Sequence, residues 1–252
     1  MRDEPLLSVL PHVMIHAHAE MPRECCGVIV LTQTGPLYIA CRNIGMETEH
    51  FVIDGRDYAR AEDTGRVAMI VHSHVYEPPR PSLADLAGTE RTRLPWLIVN
   101  VPTGTYTITR PSGFKAPLIG RPFVHGVHDC YALVRDVYAE GGIDLNDYER
   151  HYGWWNSEDG SDLYRENFAR EGFVPIVEHS PTSEDLKLLR PMDLILMNIR
   201  ARRENHMAVY LGDGVILHHL IGHASRREAY QEFYQRRTTA ILRHRKLMRE
   251  PS

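Results

Sequence analysis

The sequence predicts two modules, an α/β module on a mixed sheet followed by an α+β module on an antiparallel sheet. Three observations carry this. The stretch Arg110–Pro122 holds three prolines and two glycines with no apolar period, the mark of a linker. Before it, helical and strand-like periodicities alternate; after it, one strong helix precedes a run of strands. The expected division is therefore residues 1–110, a linker at 111–122 and residues 123–252.

In the first module, apolar residues from Leu6 to Met21 recur at helical spacing, and Pro22 ends the pattern. Gly27–Thr32 and Leu37–Cys41 read as strands around a Thr34-Gly35-Pro36 turn. Arg56–Thr64 reads as a short helix, Val67–Val71 as a buried strand, and Ser82–Arg93 as a helix capped by Ser82. Trp96–Val101 and Thr105–Thr109 alternate like a hairpin around Thr103-Gly104. In the second module Asp129–Ala139 is strongly helical and stops at Gly141-Gly142, and Asp162–Glu171 is a further helix. Asp193–Ile199, His206–Leu211, Val215–Leu220 and Thr239–Arg243 read as strands, and the basic run Arg243–Arg249 as a solvated tail.

Composition narrows the function classes. With 252 residues, 43% hydrophobic and 25% charged, two cores of ordinary size are expected. A net charge of −4 lacks the basic excess of a nucleic-acid binder. The N-terminus is not a secretory signal and no apolar run reaches a membrane span, so a soluble chain made in the cytoplasm is expected. Cys25, Cys26, Cys41 and Cys130 form neither a disulfide framework nor a CxxC knuckle, so reduced thiols are expected.

The most specific signal is His72-Ser73-His74 followed, after seven residues, by Ser82-Leu83-Ala84-Asp85. An HxH pair at a strand end points both imidazoles to one side, and Asp85 in the next helix can fold back toward them. Two histidines and a carboxylate are a common catalytic zinc set with an open position for water. Glu24, in Pro22-Arg23-Glu24-Cys25-Cys26-Gly27, is a candidate base. These residues resemble the JAMM (JAB/MPN) metallopeptidases over roughly Leu6–Arg110. The resemblance implies His72, His74 and Asp85 as Zn2+ ligands, Glu24 as acid/base and Ser82 as oxyanion donor. Val75 stands where that family often has proline.

Cys130 opens the second module's helix, where the dipole is expected to lower its pKa. A cysteine nucleophile needs an imidazole oriented by a third group. His206 and His218, twelve residues apart across Gly212-Asp213-Gly214, are the candidates; a register shifted by one would substitute His219 for His218. The pattern, with Pro191-Met192-Asp193-Leu194 as strand lead-in, resembles the papain-like NlpC/P60 cell-wall peptidases over Phe123–Arg245. It implies Cys130 as nucleophile, His206 as base, His218 as orienting residue and peptidoglycan peptides as substrate. Tyr131 replaces the usual serine, and Tyr148–Gly160 reads as an inserted loop.

The pairing of the two families resembles the K-type tail-tip assembly proteins of phages with long flexible tails. That resemblance implies tail-tip partners, a place on the virion tail tip, and action in the host periplasm or cell wall. Two alternatives stand beside it: a non-catalytic assembly factor with vestigial sites, and a bacterial deubiquitinase-like peptidase.

Overall fold

The computed structural model describes residues 4–45, 50–158 and 162–248. The chain divides into two compact units, Met1–Ala116 and Pro117–Ser252.

Unit 1 is built on a five-stranded mixed sheet. Its elements are α1 (Leu10–Glu20), β1 (Cys26–Thr32), β2 (Gly35–Cys41), α2 (Gly55–Thr64), β3 (Arg66–His74), α3 (Leu83–Thr92), β4 (Trp96–Asn100) and β5 (Tyr106–Thr109). The sheet order is β2-β1-β3-β4-β5. Only β3 and β4 run parallel, and α3 is the crossover that a parallel pair requires. This crossover carries the chain back over the C-terminal end of β3, where the HxH pair lies.

Each sheet face has its own apolar layer. Val13 and Ala17, one helical turn apart on α1, pack with Ile29, Met69, Val71 and Leu97. On the other face Ala61 of α2 packs with Val28, Val30, Ile70 and Trp96. α3 meets Trp96 so closely at Gly88 that an added Cβ would lie 2.3 Å from the indole. Gly88→Ala should therefore lower stability by about 1–2 kcal/mol, because overpacking outweighs alanine's better helix propensity. Urea unfolding measures it, and a gain in stability would contradict this close approach.

Unit 2 consists of α4 (Cys130–Glu140), α5 (Leu163–Arg170), β6 (Phe173–Val177), α6 (Ser183–Leu186), β7 (Leu194–Met197), β8 (His206–Gly212), β9 (Val215–His218), β10 (Arg226–Ala229), α7 (Glu232–Gln235) and β11 (Thr238–His244). The six-stranded sheet runs β10-β9-β8-β7-β11-β6, antiparallel throughout. Leu133, Val134, Val137 and Tyr138 of α4 share one core with Leu194, Leu196, Met207, Val209 and Leu217. Asp129 caps α4 by accepting the Ala132 N–H.

An α/β unit followed by an α+β unit is the predicted fold class, with several local differences. The first hairpin turns at Gln33-Thr34, because Thr32 pairs directly with Gly35, so Gly35 and Pro36 belong to β2. β6 and β10 were not anticipated. The segment read as a linker is held by its neighbours: the Ser112 and Phe114 N–H groups donate to Glu90, and Arg121 is fully buried with its guanidinium 2.7 Å from Asp136. Nor is the basic run from Arg243 a solvated tail over its first two residues. Arg243 is buried in β11 and donates twice to Asp193 at 2.7 Å, and His244 is buried beside it; Arg249 lies outside the described residues.

Candidate functional site

In unit 1 the register aligns Cys26 of β1 with His72 of β3. The Cys25 N–H donates to Ser73 Oγ (2.8 Å) and the Ser73 N–H to the Cys25 carbonyl (3.2 Å). Ser73, the residue between the two histidines, thus pins the chain that carries Glu24 to the end of β3. Glu24 is buried, and its carbonyl accepts from the Asn43 amide. Gly27 of the same motif admits no side chain, since a Cβ there would sit 2.5 Å from the Ile39 carbonyl oxygen.

His72, His74 and Asp85 converge, each offering a ligand atom within 4.8 Å of the others. His72 Nε2 lies 3.3 Å from His74 Nε2 and 3.2 Å from Asp85 Oδ1, and His74 Nε2 is 3.6 Å from Asp85 Oδ2. Bonds of about 2.0–2.1 Å arranged tetrahedrally require ligand separations of about 3.3–3.4 Å. The donor set and its spacing therefore fit a tetrahedral divalent ion. The His74 Nδ1–H donates to the Pro78 carbonyl at 2.7 Å, so loss of the Nε2 proton would leave the Nε2 lone pair facing the cluster, as an ion there would require.

The three side chains are strongly coupled. Burial alone would raise Asp85, yet its contacts with the His72 and His74 imidazoles and the Ser82 N–H hold it far below the ordinary carboxylate range. Burial alone would lower His74, and the Asp85 contact raises it instead. Ser82 and Asp85 close a reciprocal capping box at the start of α3, so Ser82 orients the carboxylate. His72 is oriented by packing: Phe51 stacks on it at 4.5 Å and Trp96 meets it edge-on at 5.6 Å, while its Nδ1 is buried with no hydrogen-bond partner among the described residues. Phe51, Trp96 and Ser73 were not singled out from sequence, where an aromatic or a serine between ligands has no distinctive spacing.

In unit 2, Cys130 is the first residue of α4 and is buried. Its sulfur lies 3.5 Å from the Tyr164 hydroxyl of α5, and Cys130 shares a core with Met207, the residue after His206. The side-chain partner of the sulfur is thus Tyr164, and no hydrogen bond joins it to His206. Sequence reasoning expected a depressed thiol pKa. Instead burial, reinforced by the Asp129 charge, pushes it up to about 12 and outweighs the helix terminus.

His206 and His218, at the start of β8 and the end of β9, are brought together. His206 Nε2 and His218 Nδ1 stand 3.1 Å apart, and both rings are buried. It is His218, not His219, that the β8–β9 register places beside His206; His219 lies against Phe123. Burial lowers the pKa of both His206 and His218, so both imidazoles are neutral near pH 7. His218 Nε2 continues to Glu228 Oε2 of β10 at 3.0 Å, and Arg226 holds the same oxygen at 2.9 Å.

Sequence reasoning also missed Arg150. It lies in the stretch read as an inserted loop, yet it is buried and donates to Asp129 at 2.7 Å, fixing the cap of the Cys130 helix. Tyr164 and Trp154 pack edge to face at 4.7 Å within the core that contains Cys130. A thiol moved up by about three units carries roughly a thousandfold less thiolate at neutral pH. Native Cys130 should therefore react with iodoacetamide roughly a thousandfold more slowly than in urea, followed by peptide mapping. A native rate within about tenfold of the unfolded one would contradict the occlusion.

Comparison with known proteins follows the same division. Residues 7–110 match the model for prokaryotic homologs of the JAB domain, and residues 120–243 match the NlpC/P60 family. Tail tip assembly protein K of Escherichia phage N15 is 40% identical over 235 residues, spanning 92% of this chain and 93% of its own length. The protein of the same name from Escherichia phage lambda is 36% identical over 189 residues, spanning 75% and 87%. A solved NlpC/P60 family protein from Bacillus cereus aligns at 12% identity over 91% of this chain and 66% of its own, with a TM-score of 0.33, too distant to bear on the geometry. The chain belongs to the tail tip assembly protein K family and joins a prokaryotic JAB-type domain to an NlpC/P60 domain.

Proposed function

We propose that this chain is a tail-tip protein that hydrolyses peptide bonds of host peptidoglycan through Cys130 and carries a zinc-dependent JAMM-type peptidase centre in unit 1. The name shared by its relatives supports the tail role, with other tail-tip proteins as partners. On this reading the chain is made in the host cytoplasm, carried on the virion tail tip, and acts in the periplasm or cell wall.

The observation that supports the peptidase most is the arrangement at the start of β8. Met207 packs in the same core as Cys130, and one residue earlier His206 is joined to a buried second imidazole. In the proposed reaction the Cys130 proton passes to His206 and the sulfur attacks the scissile carbonyl. The developing oxyanion takes the Cys130 N–H. The amine leaves with the proton from His206, and water then hydrolyses the thioester. His218 keeps the His206 ring in place throughout.

In unit 1, His72, His74 and Asp85 would hold the ion, Glu24 would carry the proton between water and the leaving amine, and Ser82 would donate to the oxyanion. When bound, zinc supplies Lewis-acid polarisation and an acidified water.

One observation favours a second reading, a non-catalytic assembly factor: the thiol is covered and bonded to Tyr164. Digestion of purified murein, with released fragments identified by mass spectrometry, separates the two. Fragments released by the native chain and absent with Cys130→Ala support the peptidase. Absence of fragments from the native chain favours the assembly factor.

A further inference from the structure

The side chains of His206, His218 and Glu228 form one hydrogen-bonded row across β8, β9 and β10, with separations of 3.1 and 3.0 Å. The direction of every hydrogen bond in that row follows from its last member. An ionised carboxylate only accepts, so the bond to Glu228 must come from a His218 Nε2–H. A neutral imidazole has one proton, which leaves His218 Nδ1 as a lone pair. His206 Nε2 faces that lone pair and must donate to it, so the single proton of neutral His206 sits on Nε2. The remaining nitrogen, His206 Nδ1, is then the unprotonated one.

Glu228 is suited to set this order. Although burial alone would raise its pKa, Arg226, Tyr234 and His218 hold it lower, so it stays ionised at neutral pH. Arg226 donates to the same oxygen from two residues away on β10. Besides His206, the groups facing His218 are Glu228, Arg226, His223 and the Tyr234 ring, which meets it edge-on at 5.1 Å. Among these only Glu228 is a carboxylate, and it alone dictates a tautomer.

We propose that Glu228 is a positioning residue that fixes the tautomers of His218 and His206, so that His206 presents Nδ1 as the base for the Cys130 thiol. This deepens the peptidase reading and rests on it for the identity of the proton donor. On proton uptake at Nδ1, the Nε2–H stays bonded to His218 and the new positive charge is stabilised through the row by the Glu228 carboxylate. Without Glu228, His218 is free to carry its proton on Nδ1 and donate to His206. That forces the His206 proton onto Nδ1, the wrong nitrogen for a base. The closest precedent in principle is the carboxylate that selects a histidine tautomer in serine hydrolases; here it would act through an intervening imidazole.

The test is nitrogen NMR of the full-length chain with 15N-labelled histidine, which reads each tautomer without any substrate. The native chain should show Nε2–H for both His206 and His218. Glu228→Ala should introduce the Nδ1–H form at His206, and Glu228→Gln, which keeps an acceptor oxygen, should restore the native pattern. With a murein peptide, Glu228→Ala should lower kcat roughly a hundredfold, the lower end of what a positioned base contributes, with KM little changed. Retention of the Nε2–H form at His206 in Glu228→Ala would overturn the proposal. If the native chain cleaves nothing, the peptidase reading fails while the tautomers still decide the role of Glu228.

Discussion

Replacing Arg150 with methionine is expected to lower the stability of unit 2 by about 3–5 kcal/mol at pH 7, because it leaves a buried carboxylate without its partner. Arg150 and Asp129 are both almost wholly removed from solvent, and the guanidinium reaches Asp129 at 2.7 Å and Asp147 at 3.0 Å. It also donates to the Tyr148 and Gly126 carbonyls, which ties the 148–150 stretch to the loop before α4. Burial alone would raise the Asp129 pKa; the Arg150 charge and the Arg150 and Ala132 hydrogen bonds lower it instead. A folded pKa below the unfolded one contributes stability that is present above about pH 4 and is lost as pH falls through the folded value. In the methionine variant burial acts alone and Asp129 protonates more readily. The gap between the two proteins should therefore narrow toward pH 4. Urea unfolding followed by fluorescence of Trp154 and Trp155 measures this; a deficit below about 1 kcal/mol at pH 7 would contradict it.

The second large effect concerns the metal centre. Zinc added to metal-stripped chain should bind at about one equivalent and raise the stability of unit 1. The increment is about 4 kcal/mol when free zinc exceeds the dissociation constant a thousandfold. The cause is specific: the three donors meet at separations of 3.2–3.6 Å only in the folded chain. Asp85→Asn combined with His74→Gln keeps side-chain volume but removes the anionic oxygen and one imidazole. It should abolish the zinc-dependent increment, read by urea unfolding with Trp96 as the probe. An increment that survives in the double variant would place the ion elsewhere.

Much of this molecule was legible in its sequence, and the exceptions share physical causes. The helix capped by Ser82 begins where its cap predicts, because capping is local. The central strands were readable for the same reason: burial on both faces gives continuous apolar runs such as Val67–Val71. The two strands that were missed, β6 and β10, are the two edges of the unit 2 sheet. An edge strand pairs on one side only, so it tolerates Pro175 in one case and Arg226-Arg227-Glu228 in the other. Neither looks like a strand in isolation.

The sites divide along similar lines. His72, His74 and Asp85 were legible because a strand, a short loop and a capped helix set their approach within fourteen residues. Arg150 with Asp129, and Arg243 with Asp193, were not legible, because each pair is made by chain segments distant in sequence. The thiol shows how a local rule can lose. Its place at a helix N-terminus was visible, but the burial that pushes its pKa upward comes from the surrounding core, which only the folded chain assembles.

The most direct test of the account is to trap the acyl group on the sulfur. The chain would be incubated with a peptidoglycan stem peptide, quenched in acid, digested and searched by mass spectrometry for a thioester. The account predicts the adduct on Cys130, the thiol of the unit that holds His206 and His218, and none on Cys25, Cys26 or Cys41 of unit 1. Cleavage of the peptide that yields no adduct and persists in Cys130→Ala would contradict it.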